Sequence, residues 1–144
     1  MKMLIRYTSL IALGATYGVM VLGSYVSATG LGLSCPDWPL CRGNILPTEE
    51  IIIEWTHRFF GLLVATFTVT TSVLALRTND KKLKIITSLA VMFVFIQITL
   101  GAIVIGTRLQ PEIVAMHLAV ALAVFTTVLL SMLRVRNYAK SIEV

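Results

Sequence analysis

A chain of 144 residues with 57% hydrophobic and 13% charged side chains and a mean hydropathy of +0.88 is too apolar for a soluble globular domain. The length suits one compact domain. The formal charge of +5 calls for no nucleic-acid partner, since lysine and arginine gathered at an anionic membrane face account for it.

Four uncharged runs are long enough for a helix of about 20 residues to cross the bilayer core. The first lies between Arg6 and Asp37 and predicts a helix over 8–28. Its small residues at Val26-Ser27-Ala28 look like a cleavage site. The apolar stretch is too long for a signal-peptide core and three more spans follow, so an uncleaved anchor is expected. Gly14-x-x-x-Gly18 on this helix permits close helix approach. An outer loop over 29–54 comes next, stiffened by Pro36, Pro39 and Pro47. It holds Cys35 and Cys41, which can close a disulfide in an oxidising compartment and shape the loop; participation in redox chemistry is the alternative. Trp38 and Trp55 read as interfacial aromatics.

The second helix is expected over 55–76, opening on Glu54-Trp55-Thr56-His57-Arg58. Asn79-Asp80 among lysines marks a tight turn. The third helix is expected over 85–107. Pro111 and Glu112 mark the first turn of the fourth, over 112–133, where a missing N–H is harmless and a carboxylate suits the helix dipole. Helical lengths without alternating polarity predict an all-α membrane protein, a single four-helix transmembrane domain and not a barrel. Nine of the twelve basic residues fall at the amino terminus, in the second loop and in the tail, which predicts cytoplasmic termini, a multi-pass protein of the cell membrane and a cysteine loop on the extracytoplasmic side.

The chain repeats itself. Leu22–Leu31 set against Leu100–Leu109 matches at five of ten positions, and each following helix carries one histidine near its outer end. Two copies of a helical hairpin are expected, related by an axis along the membrane normal.

His57 and His117 are the only histidines. Helices two and four run in the same direction, so both imidazoles lie at similar depth in the outer leaflet. One turn deeper stand the small residues Gly61 and Ala121. Two imidazoles at one level, each above a gap, suit axial ligation of a heme iron. The alternative is a buried histidine bonded to a neighbouring helix. A zinc site is disfavoured, because it wants more ligands than two. Glu54, three residues before His57, shares its face and can orient the imidazole, take a proton or stabilise positive charge on a substrate. Its other reading is an N-terminal acid favoured by the dipole.

The run Ala28-Thr29-Gly30-Leu31-Gly32-Leu33-Ser34-Cys35-Pro36-Asp37-Trp38-Pro39-Leu40-Cys41 resembles the first outer loop of the heme A synthase (CtaA) family. Glu54-Trp55-Thr56-His57-Arg58 resembles its E-x-x-H-R motif, and Gln97…Leu100-Gly101…Leu109-x-Pro111…Val114…His117-Leu118 is similar to its third and fourth helices. The resemblance implies oxidation of the heme O methyl to the formyl of heme A for terminal oxidases, with a b-type heme as cofactor. It implies His57 and His117 as ligands of the heme iron, Glu54 as the acid beside the heme, and Cys35–Cys41 as the loop pair. Ser27 stands where many members carry an arginine suited to a heme propionate, leaving Arg58, Arg42 or Arg108 for that role. Typical members hold two such four-helix halves, so a homodimer is expected, with Gly14/Gly18 as one possible interface. Heme O synthase or a terminal oxidase under assembly is an implied partner, besides membrane lipid. A non-enzymatic membrane heme protein, either an electron carrier or a heme carrier in oxidase assembly, is the alternative class. A quinone-linked disulfide generator fits less well, since it normally has two cysteine pairs.

Overall fold

Each uncharged run forms one helix. The computed structural model describes residues 2–35, 37–39 and 48–140, with side chains through Tyr138. Among them α1 spans Lys2–Thr29, a 3₁₀ turn Leu31–Leu33, α2 Glu49–Leu76, α3 Lys81–Gly106 and α4 Pro111–Lys140, with no strand. All four helices are long and apolar enough to cross a membrane, so the protein is a multi-pass all-α membrane protein. Most helices overrun the expected spans: α1 begins at Lys2 and not near 8, α2 at Glu49 and not near 55, and α4 ends at Lys140 and not near 133. Glu49, Glu50 and Glu54 precede the uncharged run, yet they are good helix formers. The first two sit in the opening turn, where the dipole favours them. Pro111 occupies the first position of α4, as expected.

α1 packs against α2 and α4, and α3 packs against α2 and α4, in a closed up-and-down bundle. Ile5, Leu74, Ala75, Leu83 and Val135 cluster at one end, so the start of α1, the end of α2, the start of α3 and the end of α4 lie together. The start of α1 and the end of α4 therefore share that end, and the starts of α2 and α4 share the other. Mid-bundle contacts are made by Ala12, Ala15, Val64, Ala90, Val94, Val124 and Val128. Small and β-branched residues let the backbones approach, which is what drives helix association where lipid tails are as apolar as leucine. Large residues such as Leu62, Ile85 and Leu122 point outward, toward lipid.

Buried positions repeat with the sequence. In α1 and α3, Ile5/Leu83, Ser9/Thr87, Ala12/Ala90 and Thr16/Val94 are buried 78 residues apart. In α2 and α4, Val64/Val124, Thr68/Val128, Thr71/Ser131 and Ala75/Val135 are buried 60 apart. Even the helix ends correspond. Gly30 after α1 (φ 72°) and Arg108 after α3 (φ 54°) both take the left-handed conformation, and Leu109 then lies against Gly32, where an added Cβ would meet Leu109 Cδ2 at 2.9 Å. Gly18 faces inward as well: a Cβ there would come within 2.9 Å of the Phe60 ring. Its smallness serves α1–α2 packing inside the chain, whereas Gly14 faces open space.

Candidate functional site

The site lies at the end away from the termini, where α2 and α4 begin. Because α2 starts at Glu49, Glu54 is already more than a turn into the helix and points inward, 3% exposed. Its carboxylate accepts the Cys35 backbone N–H at 2.8 Å (Oε2) and the Arg58 guanidinium at 2.5 Å (Oε1). Arg58 Nη2 also donates to Cys35 O at 2.5 Å. Arg58 Nη1 donates to Asp37 O at 2.5 Å and Pro39 O at 3.3 Å. Glu54 and Arg58, four apart on one face of α2, thus bind both backbone polar groups of Cys35 and two further carbonyls. They tie the outer loop to the helix. A buried backbone must find partners for its polar groups, and in a short loop with no ladder to join, a helical ion pair supplies them. Cys35 is fully buried beneath this clamp. Cys41 and Arg42 lie outside the described residues. Trp38 and Trp55 are half-exposed, and Trp55 stacks on Phe59 with centroids 5.6 Å apart.

His57 is half-buried and faces α1. A Cβ on Gly23 would sit 2.9 Å from His57 Nε2, so only glycine leaves room for the imidazole in this position. The second hairpin repeats the contact more loosely, with Gly101 of α3 beside His117 Cε1, 3.4 Å from an added Cβ. Gly61, one turn below His57, has nothing within 4 Å of where a Cβ would stand.

The two imidazoles are not held alike. His117 Nε2 lies 3.1 Å from Gln97 Nε2 of α3. His117 Nδ1 and Gln97 Oε1 are buried without a hydrogen-bond partner. Turning the amide to present its oxygen only exchanges which atoms are orphaned, so the pair stays half-satisfied in either orientation. Under-satisfied buried polar atoms are rare in native proteins and mark places prepared for something else. Val19 occupies the position in α1 equivalent to Gln97, so His57 has no such partner from its own hairpin.

The structure therefore places Glu54 and Arg58 in the loop clamp, with His57, between them in sequence, against α1 and His117 against α3. Arg108 stands at the same end, just after α3. Gly23, Gln97 and Gly101 do work that the sequence alone does not assign them. Gln97, a lone amide within an uncharged span, was the signal for one of them, since polar groups in a membrane span are costly. The glycines were visible only as a match within the repeat.

The sequence model of the COX15-CtaA family, described as cytochrome oxidase assembly protein, matches residues 6–51 and 48–143. A heme A synthase of Bacillus licheniformis is 37% identical over 120 residues, covering 78% of this chain and 39% of the relative. One of Bacillus pumilus is 29% identical over 147 residues, covering 98% of this chain and 48% of the relative. A protoheme IX farnesyltransferase of Halobacterium salinarum is 26% identical over 119 residues, covering 81% of this chain and 27% of the relative. The chain spans about half the length, or less, of these curated relatives. With the match extending through all four helices and both histidines, the chain belongs to the COX15-CtaA family.

Proposed function

We propose that this chain acts in heme A biosynthesis as an oxidoreductase, converting the methyl group of heme O to a formyl with the help of a bound b-type heme. The observation that carries the reading is the pair of histidines at one level, each seated against a glycine of the preceding helix, with His117 left half-satisfied. The names of the relatives supply the reaction class. These residues fit a heme: His57 and His117 would be its axial ligands, and a heme so held supplies one-electron transfer. The open space beside Gly61 gives a flat ring room at that level.

The chain's own residues do the rest. Gly23 and Gly101 let the imidazoles approach their partner helices, and Gln97 holds the His117 ring at its edge. Glu54 and Arg58 fasten the outer loop over the histidines, which keeps water away from the site. Arg58 as a propionate partner gives up some of the carbonyls of Cys35, Asp37 and Pro39, and the loop then stays fastened through Glu54 and the Cys35 N–H. A Cys35–Cys41 disulfide belongs to this proposal as the element that shapes the loop. So do cytoplasmic termini in the cell membrane, which the charge distribution supports. A second four-helix unit, taken from another copy in a homodimer, is proposed to complete the enzyme, because the relatives are about twice as long. Heme O synthase, or the oxidase under assembly, is the proposed neighbour.

Co-expression with a heme O producer should yield extractable heme A, and purified protein should show a low-spin bis-histidine spectrum that His57→Ala or His117→Ala abolishes. Unchanged spectra in both variants would remove the ligand assignment.

One observation favours a second reading. Glu54 is committed to Arg58 and the Cys35 N–H, which is a structural use of the acid. If heme binds and no formyl product forms when reductant and oxygen are varied, the chain is a membrane heme protein for electron transfer or heme delivery.

A further inference from the structure

Toward the terminal end of the bundle, below the histidines, all four helices present a hydroxyl to one small cavity: Ser9 of α1, Thr68 and Thr71 of α2, Thr87 of α3 and Ser131 of α4. Each of these residues is buried, none more than 4% exposed. The positions are repeat mates, Ser9 with Thr87 and Thr71 with Ser131, so the cavity straddles the pseudo-twofold axis. The symmetry breaks at one pair, where Thr68 faces Val128.

A hydroxyl has one proton. Ser9 directs its proton to Arg6 O at 2.9 Å, Thr87 to Leu83 O at 2.9 Å, Ser131 to Thr127 O at 2.7 Å and Thr71 to Phe67 O at 2.7 Å, its other partner being Thr8 Oγ1 of α1 at 3.0 Å, outside the cavity lining. With those protons spent on their own helices, the four oxygens turn only lone pairs toward the cavity. Thr68 differs. Its Oγ1 is buried with no hydrogen-bond partner, although threonines in a helix normally bond the carbonyl one turn back. The cavity therefore offers one unspent O–H donor and a surplus of acceptors. That set complements a molecule that accepts one hydrogen bond and donates two.

We propose that a single buried water occupies this cavity, accepting from Thr68 and donating to two of the facing hydroxyl oxygens. The room for a water-sized sphere is about 10 Å³, close to the minimum of roughly 10–15 Å³ that one water needs. A cation would find oxygens but no carboxylate, since no acidic residue lines the cavity. The water links α2 to two of the other three helices near the point where the hairpins meet, and it satisfies a hydroxyl whose burial in an apolar bundle is otherwise costly. The site is independent of heme and of the histidines.

The test uses the full chain in detergent micelles with labelled threonine methyls and measures magnetisation transfer from water to those methyls. A long-lived water gives transfer to the Thr68, Thr71 and Thr87 methyls in the unaltered protein. Thr68→Ser, which keeps the donor, should retain transfer to Thr71 and Thr87. Thr68→Val, which matches Val128 and removes the donor at equal volume, should lower it at least about fivefold, the donor being one of the roughly three hydrogen bonds that hold a buried water. Absence of transfer in the unaltered protein overturns the proposal. Undiminished transfer in Thr68→Val overturns it as well, because the signal then comes from exchange at the remaining hydroxyls.

Discussion

Glu54 and Arg58 show how much one residue's neighbours decide. Glu54→Gln keeps the size but turns an amide N–H₂ or a weaker acceptor toward Arg58, leaving a guanidinium that is only 15% exposed without its counter-charge. Breaking such a pair should cost about 2–3 kcal/mol, at or below the lower end for buried pairs. Denaturant unfolding in detergent would measure it, together with faster proteolysis in the outer loop. Arg58→Lys should do nearly as much, because one ammonium cannot serve a carboxylate and three carbonyls at once. The glycines are as selective. Gly23→Ala drives a methyl against His57 Nε2 and should weaken heme binding on the order of tenfold, as loss of a supporting contact to a metal ligand does. Gly14→Ala, in open space, should leave binding unchanged and serves as the control, read in a heme titration. That Glu54 and His57 share one face of a helix was legible from their spacing. Their partners were not, since a carbonyl of residue 37 leaves no mark on the sequence near residue 58.

At the level of elements, the ends of the helices carry most of the specific chemistry. Arg108 holds a left-handed conformation that its repeat mate Gly30 reaches without strain. Arg108→Gly should therefore stabilise the chain by about 1 kcal/mol, and Gly30→Ala should destabilise it similarly, both read by denaturant midpoint. Asp80 caps α3 through the Leu83 N–H at 3.1 Å and takes Arg134 of α4 in two contacts of 2.8 and 3.1 Å. Burial alone would raise its carboxyl, but Arg134 and the Leu83 and Lys82 N–H groups outweigh it and hold the group below its ordinary 3.8. A carboxylate depressed by folding adds stability that is complete above the unfolded value and is lost as pH falls through 3.8 and then through the lower folded value. Asp80→Asn keeps a capping oxygen without the charge. It should flatten the acid limb of the stability curve in that window, at a cost of under about 1 kcal/mol at neutral pH, since Arg134 is 37% exposed. Both the turn at Asn79-Asp80 and the proline start of α4 were readable as local chemistry. The pairing of Asp80 with Arg134, 54 residues away, was not.

Across the whole molecule, a repeated hairpin closes on itself around small residues. Ala90 has no exposed surface and stands opposite its mate Ala12. Ala90→Leu pushes new volume into that seam and should cost about 1–3 kcal/mol in detergent unfolding. Leu89→Ala, one position round on the lipid-facing side, should cost far less. The sequence by itself determined that four helices cross a membrane, that the chain repeats, and that two histidines enter at one level. Length, uncharged runs and periodic burial are properties of a helix as a unit, and lipid enforces them directly. Only the tertiary structure decided that Glu54 and Arg58 fasten a loop, that Gly23 and Gly101 seat the imidazoles, and that the two histidines differ through Gln97. Those facts depend on which side chains meet across helices, and packing distances of a few ångströms between distant residues follow from the whole bundle and not from any one segment.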